Sequence, residues 1–368
     1  ELIKVERLQR EFYIFREGCE IIFRLVIEKY MNDQKRFLII APSWIGDLLM
    51  SQSVFKSLKN KYYNCTIDVI AKPYLNDLIK LMPEVNNVYN LDIQHRELGL
   101  IKRYKIAKNL RKNYYTSAIV LTNTFKSAII PWLARIPERI GYKKELRSFL
   151  LTKSLNFIKH DDSMVNRYLK LINSSFSDNI RPSLEVSAYK NHDLKKKFLL
   201  NNEAKNIFLC PEAEFGETKR WPQKKWIELA KYFKEYKCNV YFLGKDSLSA
   251  NVYNSVVDET SIVSLIGKTS LQEVAYLFSY ADLVISNDSG LMHLSASLNR
   301  NLISIFGSSS PFYTPPLMKY NSGEVIYKQI DCSPCFKKTC PLNNDNNLKC
   351  LNDIGVEEIF NKSKPYLV

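Results

Sequence analysis

Short β-branched runs alternate with helical stretches in two successive series, and this limits the fold of the chain more than any other feature. In the first series the strand-like runs are residues 37–40, 66–70, 85–91 and 117–121, with helical stretches such as 48–61 and 101–112 between them. The second series has runs at 206–209, 240–243, 262–265, 283–285 and 302–305. Strands that alternate with helices imply parallel sheets covered on both faces. A polar stretch near 173–203 separates the series, so two doubly wound domains are expected, at 36–185 and 186–350. Residues 351–368 are expected to form a closing helix that packs back on the first domain. A small ligand would sit between the domains, beyond the carboxyl ends of the strands.

The composition agrees with a folded α/β chain. Of 368 residues, 46% are hydrophobic and 25% charged, which excludes a collagen-like, low-complexity or wholly disordered chain. No stretch reaches the length of apolar residues that a membrane-spanning helix needs. The first residues carry charges throughout and lack the apolar centre of a secretory signal, so a cytoplasmic setting is expected. Within residues 1–35, Val5, Leu8, Phe12, Phe15, Cys19, Ile22 and Val26 recur as the seam of an amphipathic helix. That helix fits docking on the body, pairing with a second chain, lying on a membrane, or a passive extension, and Met31 is placed to serve as an alternative start.

Charge is unevenly spread. The net charge is +15; residues 1–35 hold 7 Lys/Arg against 7 Asp/Glu, whereas residues 36–175 hold 23 against 10. A basic first half suits nucleic acid, an anionic membrane surface or a phosphorylated substrate, and it is also what lysine-rich composition drift on solvated faces would produce.

Three strand-to-helix junctions carry the candidate chemistry. The first strand ends in Ala41-Pro42-Ser43-Trp44-Ile45-Gly46-Asp47, and a helix follows at once. There Asp47 is either a first-turn residue that complements the helix dipole or a carboxylate facing a ligand at the strand end. Gly46 permits close approach. The second series opens into a loop from Pro211 to Pro222 in which Gly216 stands near Lys219 and Arg220. A glycine beside fixed positive charge suits a phosphate, and the same loop also reads as a surface turn anchored by Trp221-Pro222. The third junction, Ser286-Asn287-Asp288-Ser289-Gly290-Leu291-Met292-His293, is a small polar turn opening a helix, with free N–H groups for an anion. His293 follows one turn beyond Ser289, to reach the same ligand or to pack. Neither dinucleotide fingerprint, P-loop nor G-x-S-x-G elbow occurs, and Asp288, Ser289 and His293 lie too close in sequence for a hydrolytic triad.

Four of the eight cysteines cluster, as Cys332, Cys335, Cys340 and Cys350. The spacing is compatible with a structural tetrahedral zinc, lacks the paired C-x2-C form, and in a cytoplasmic setting does not point to stable disulfides. No Asp-x-Asp metal-binding pair is present, and no metal is assigned to the site.

Together the loops resemble one family, the ADP-heptose:lipopolysaccharide heptosyltransferases of glycosyltransferase family 9, and within it the heptosyltransferase II branch. The likeness rests on the junction from Ala41 to Asp47, Met50-Ser51-Gln52-Ser53, Met82-Pro83-Glu84-Val85, Pro211 to Pro222, Asn287 to His293, and Phe306-Gly307-Ser308-Ser309-Ser310-Pro311 with Thr314-Pro315-Pro316. It runs in order from about Phe37 to the C-terminus, takes in Cys332-Ser333-Pro334-Cys335, and leaves residues 1–35 outside. The resemblance implies a GT-B fold, two Rossmann-like domains facing across a cleft, with an N-terminal helical extension added here. It implies transfer of L-glycero-D-manno-heptose from ADP-heptose to the first heptose of the lipopolysaccharide inner core, with inversion.

Carried over by motif, Asp47 is the expected base, Lys219 the contact to the diphosphate, and Asp288, Ser289, Gly290 and His293 the place where the nucleotide part binds. Glu214 and Phe215 join the donor side, and Ser43, Trp44, Gly46 and Lys126 the acceptor side. Lys126 also reads as a solvated lysine. No cofactor is implied. The expected partners are ADP-heptose and a Kdo-lipid A heptose acceptor at the inner membrane, without nucleic acid, and with monomer or oligomer left open; the expected place is the inner face of the cytoplasmic membrane. One departure is Pro211-Glu212-Ala213, where the family pattern has a glycine. Alternatives are heptosyltransferase I or III of the same family and, from another class, a basic nucleic-acid-binding protein.

Overall fold

The computed structural model describes residues 35–94, 97–186, 197–198, 200, 203–245, 247–258 and 261–367. The amphipathic seam of residues 1–35 therefore lies outside the described residues, Lys35 apart.

Two six-stranded parallel sheets form. The first comprises β1 (Arg36–Ile40), β2 (Thr66–Ala71), β3 (Asn87–Asn90), β4 (Ser117–Val120), β5 (Glu138–Lys143) and β6 (Lys153–Asn156), in the order β3-β2-β1-β4-β5-β6. The second comprises β7 (Asn206–Cys210), β8 (Asn239–Phe242), β9 (Ile262–Ser264), β10 (Leu283–Asn287), β11 (Leu302–Phe306) and β12 (Gly323–Tyr327), in the order β12-β11-β10-β7-β8-β9. Counted within each lobe, both orders are the doubly wound sequence whose direction reverses beside the first strand. Such a reversal parts the crossover helices and leaves a crevice at the carboxyl ends, here between β1 and β4 and again between β7 and β10. The α/β reading of two Rossmann-like units is what the chain forms.

Strands of the sheet centres are buried along their whole length, as in Phe208 and Ile285, which is why they read as continuous apolar runs. The reading from sequence does not include β5, β6 and β12. They mix polar or half-exposed side chains with few buried apolar ones, Ile140 and Tyr142 in β5 and Ile326 in β12, and backbone pairing to a neighbouring strand holds them.

Three apolar cores result. One covers the outer face of the first sheet, with Leu38, Ala107, Val120 and Ile130. A second covers the outer face of the second sheet, with Ile207, Trp226, Phe233 and Ile285. The third is shared by both lobes: Leu48, Val54 and Phe55 of the helix Ile45–Lys61 belong to the same cluster as Met292 and Leu294 of the helix Gly290–Ser297.

The closing helix packs elsewhere than expected. The helix Val356–Ser363 lies on the helix Gln223–Glu235 of the second lobe, where Phe360 meets Tyr232, Phe233 and Tyr236 at ring distances of 5.2–5.5 Å. Lys225 Nζ donates to the carbonyls of Asn352 and Ile354, and Trp221 Nε1 donates to the latter at 3.2 Å. Ile359 and Phe360 form an apolar stripe, and the outer core of the second sheet is what that stripe completes.

Candidate active site

The junction after β1 delivers Asp47. Ala41 N extends the ladder to Ile70 O (3.0 Å), the chain turns, and the helix Ile45–Lys61 starts behind an extended Trp44 that makes no side-chain cap. Asp47 thus sits in the first turn, and among the described residues no hydrogen bond engages its carboxylate.

Opposite it, β7 and β10 end side by side and are tied together by one residue. Asn287, fully buried, donates from Nδ2 to Pro211 O (2.7 Å) and accepts at Oδ1 from Trp221 N (3.1 Å), so both ends of the 211–221 loop are pinned to the end of β10. The next residue, Asp288, accepts from Lys219 Nζ at 2.5 Å and from the Ser309 hydroxyl. Lys219 in turn stands 5.1 Å over the Phe215 ring. The cysteine-bearing segment backs this loop: Thr218 Oγ1 donates to Lys337 O (2.5 Å), Cys340 N donates to Glu217 Oε1 (3.2 Å), and a Cβ at Gly216 would stand 2.3 Å from Lys338 O.

The starts of two helices meet at the cleft. A Cβ at Gly46 would lie 2.5 Å from His293 Cδ2, and one at Gly290 would lie 2.8 Å from Ile45 Cβ. Glycine at both positions lets the helices Ile45–Lys61 and Gly290–Ser297 approach this closely. Their positive ends, with Lys219 beside them, make a field that favours an anion.

The ionisable groups respond to this setting. Burial raises Asp47 to about 6; the nearby Asp288 charge adds to the rise, while Lys219 and Arg167 oppose it. Burial lowers His293 to about 4, with Asp288 opposing and Lys219 assisting, so its ring is neutral near pH 7. A half-buried carboxylate held near 6 can take up a proton at neutral pH.

Asp47, Gly46, Lys219, Phe215, Asp288, Gly290 and His293 are thus brought together; Ser289 shares a hydroxyl contact of 3.2 Å with Ser286 at the same helix start. Ser43 and Trp44 stand on the exposed lip, where Ser43 O accepts from the Tyr74 hydroxyl. Glu214 is paired with Lys245 at 3.0 Å on the rim and faces Tyr74 across the cleft. Lys126 belongs to a separate group at the ends of β2 and β4: its carbonyl accepts from Arg103 NH1 (2.9 Å), and Lys72 is shifted down first by burial and then by the Lys126 charge. Arg167 is the residue the sequence reading missed. It is buried on the helix Met164–Lys170, lies 4.3 Å from the Phe157 ring, and donates to the Tyr313 hydroxyl of the other lobe. No motif surrounds it; the one local signal is an arginine followed by Tyr168 and Leu169 in a short mixed helix.

The four clustered cysteines are near enough that, after burial, Cys332, Cys335 and Cys340 contribute to raising Cys350 to about 11. Among the described residues, no group of three or more His, Cys, Asp or Glu side chains is arranged to hold a metal ion.

Comparison with known proteins meets this geometry. A family model described as "Glycosyltransferase family 9 (heptosyltransferase)" matches residues 103–345. The chain is 36% identical over 297 residues to lipopolysaccharide heptosyltransferase 2 of Escherichia coli K12, covering 77% of this chain and 85% of that protein. It is 38% identical over 315 residues to lipooligosaccharide heptosyltransferase 2 of Haemophilus ducreyi, covering 80% and 89%. The solved ADP-heptose LPS heptosyltransferase II of E. coli superposes with a TM-score of 0.77 at 31% identity, covering 90% of this chain and 98% of that one. The two six-stranded parallel sheets are thus found in a chain similar along most of its length to known heptosyltransferases, and the chain belongs to glycosyltransferase family 9, the heptosyltransferases.

Proposed function

We propose that this enzyme transfers L-glycero-D-manno-heptose from ADP-heptose to the first heptose of the lipopolysaccharide inner core, with inversion. One observation carries the reading. Asp47 of the first lobe lies within electrostatic reach of Lys219 and Asp288 of the second, so a base and an anion site face each other across one gap. Relatives named heptosyltransferase 2 support the choice of acceptor.

In the reaction the acceptor hydroxyl oxygen bonds to the anomeric carbon as the bond from that carbon to the diphosphate oxygen breaks. The hydroxyl proton goes to the Asp47 carboxylate, and the electron pair of the broken bond leaves on ADP. Lys219 and the N–H groups that open the helix Gly290–Ser297 stabilise that growing charge. Asp288 holds Lys219 in position, and Ser309 fixes Asp288. Neutral His293 sets the spacing of the two helices by its packing on Gly46. Glu214 and Phe215 border the donor, and Ser43, Trp44 and Lys126 border the acceptor, a lipid-linked saccharide on the inner face of the cytoplasmic membrane. No helix among the described residues is long and apolar enough to cross a membrane.

Asp47→Asn tests the proposal. Transfer should fall by about 10²–10⁴-fold, while ADP-heptose binding by calorimetry is retained. Retained transfer, or loss of donor binding with transfer, overturns it. Acceptors that carry zero or one heptose separate this reaction from that of a heptosyltransferase I.

A further inference from the structure

The outer layer of the first lobe divides its basic residues by type. Residues 97–153 hold 13 Lys/Arg against 3 Asp/Glu. Four of the arginines point inward and bond to backbone carbonyls: Arg103 to Leu98 O and Lys126 O, Arg111 to Leu133 O, Arg139 to Leu150 O, and Arg147 to Tyr142 O. The lysines point outward. Lys105, Lys108, Lys112 and Lys143 are exposed, and no ion pair engages them among the described residues.

Apolar side chains stand exposed among these lysines. On the helix Leu100–Leu110, Arg103, Ala107 and Leu110 face the core, while Ile101 is 74% exposed. Tyr114 follows at 83%, and Leu146 and Phe149 project from the neighbouring loop at 89% and 70%. The loop that carries Lys126 joins these pieces. Arg103 of the helix binds its carbonyl, Glu145 accepts from Phe125 N (2.7 Å), and the Phe125 and Phe149 rings are 6.0 Å apart. The layer therefore borders the acceptor end of the cleft.

An unpaired lysine array interleaved with exposed aliphatic and aromatic side chains is what an anionic lipid surface recognises: ammonium groups meet headgroup phosphates, and the apolar tips enter the interface. A merely solvated face would interleave acidic residues in comparable number, whereas this layer has three against thirteen basic ones. We propose that this layer docks the enzyme on an anionic phospholipid bilayer and presents the Lys126 end of the cleft to an acceptor anchored in that bilayer. The inference rests on the proposed function for the acceptor alone; the docking stands on exposure and charge.

The test uses the full chain and vesicles of phosphatidylcholine with or without phosphatidylglycerol. The protein should float with the mixed vesicles and not with pure phosphatidylcholine, and salt should release it. Lys105→Glu/Lys108→Glu/Lys112→Glu should lower partitioning by about a hundredfold or more, and Ile101→Asp/Phe149→Asp by about tenfold. The charge-reversed variant should lose transfer to an acceptor embedded in mixed vesicles and keep transfer to a delipidated, water-soluble acceptor. No flotation by the wild type, equal flotation by the variants, or tighter binding of an oligonucleotide at the same lysines overturns the docking. If the wild type transfers to neither acceptor, the proposed reaction fails while the flotation data still decide the docking.

Discussion

The two lobes share a strand order and differ in how they use their lysines. In the second lobe several lysines are matched to carboxylates: Lys234 to Asp258 at 2.6 Å, Lys328 to Glu358 at 2.9 Å, Lys349 to Asp353 at 2.6 Å, and Lys219 to Asp288 at 2.5 Å in the cleft. In the outer layer of the first lobe Lys105, Lys108, Lys112 and Lys143 have no ion pair among the described residues. The sheet topology fixes where a ligand can sit in each lobe, and the charge pattern decides which one. A cleft whose lysine is already matched to Asp288 admits a small anion by exchange at one point; a face with an unmatched array meets an extended anionic surface.

Lys219 tests the matched lobe most severely. Lys219→Ala should lower transfer by about 10²–10³-fold and, by leaving Asp288 buried with the Ser309 hydroxyl but no countercharge, cost about 3 kcal/mol of stability in denaturant unfolding. Adding Asp288→Asn should restore most of the stability and none of the transfer. Phe360→Ala, in the core that the closing helix completes, should cost about 3 kcal/mol in the same measurement with little change in transfer by enzyme that remains folded. Gly46→Ala forces a methyl group into His293 and should cost about 2 kcal/mol, with transfer falling more than stability accounts for because the two helix starts move apart.

Asp47 gives an intermediate effect with a definite sign. Its folded value of about 6 lies above the 3.8 of an ordinary aspartate, so the folded state holds the proton longer and stability falls as pH rises through that window. Asp47→Asn should therefore gain about 1–2 kcal/mol at pH 8 and nothing at pH 3, while wild-type kcat/KM rises through pH 6 to a plateau. Smallest is Lys234→Met, at under about 1 kcal/mol, since that pair is half solvated.

Much of this was legible in the sequence, for definite reasons. Central strands are apolar on both faces, so β1, β7 and β10 announce themselves. A carboxylate or lysine in the loop that leaves such a strand lies at the cleft by construction, which is how Asp47, Lys219 and Asp288 are found. Arg167 could not be found this way, because its nearness to Asp47 depends on how the helix Met164–Lys170 packs between lobes. The closing helix shows the same limit. An amphipathic stripe says that something apolar will cover Ile359 and Phe360, and it does not say which lobe supplies it. Lys126 sits at a strand end, yet its neighbours Lys72 and Arg103 come from segments that no local pattern links.

The apolar cluster that runs from Leu48 and Val54 into Met292 and Leu294 has a mechanical consequence. Parting the halves widely would bare that cluster to water, so the same packing that joins the two helix starts opposes wide separation of Asp47 from the loop that carries Lys219.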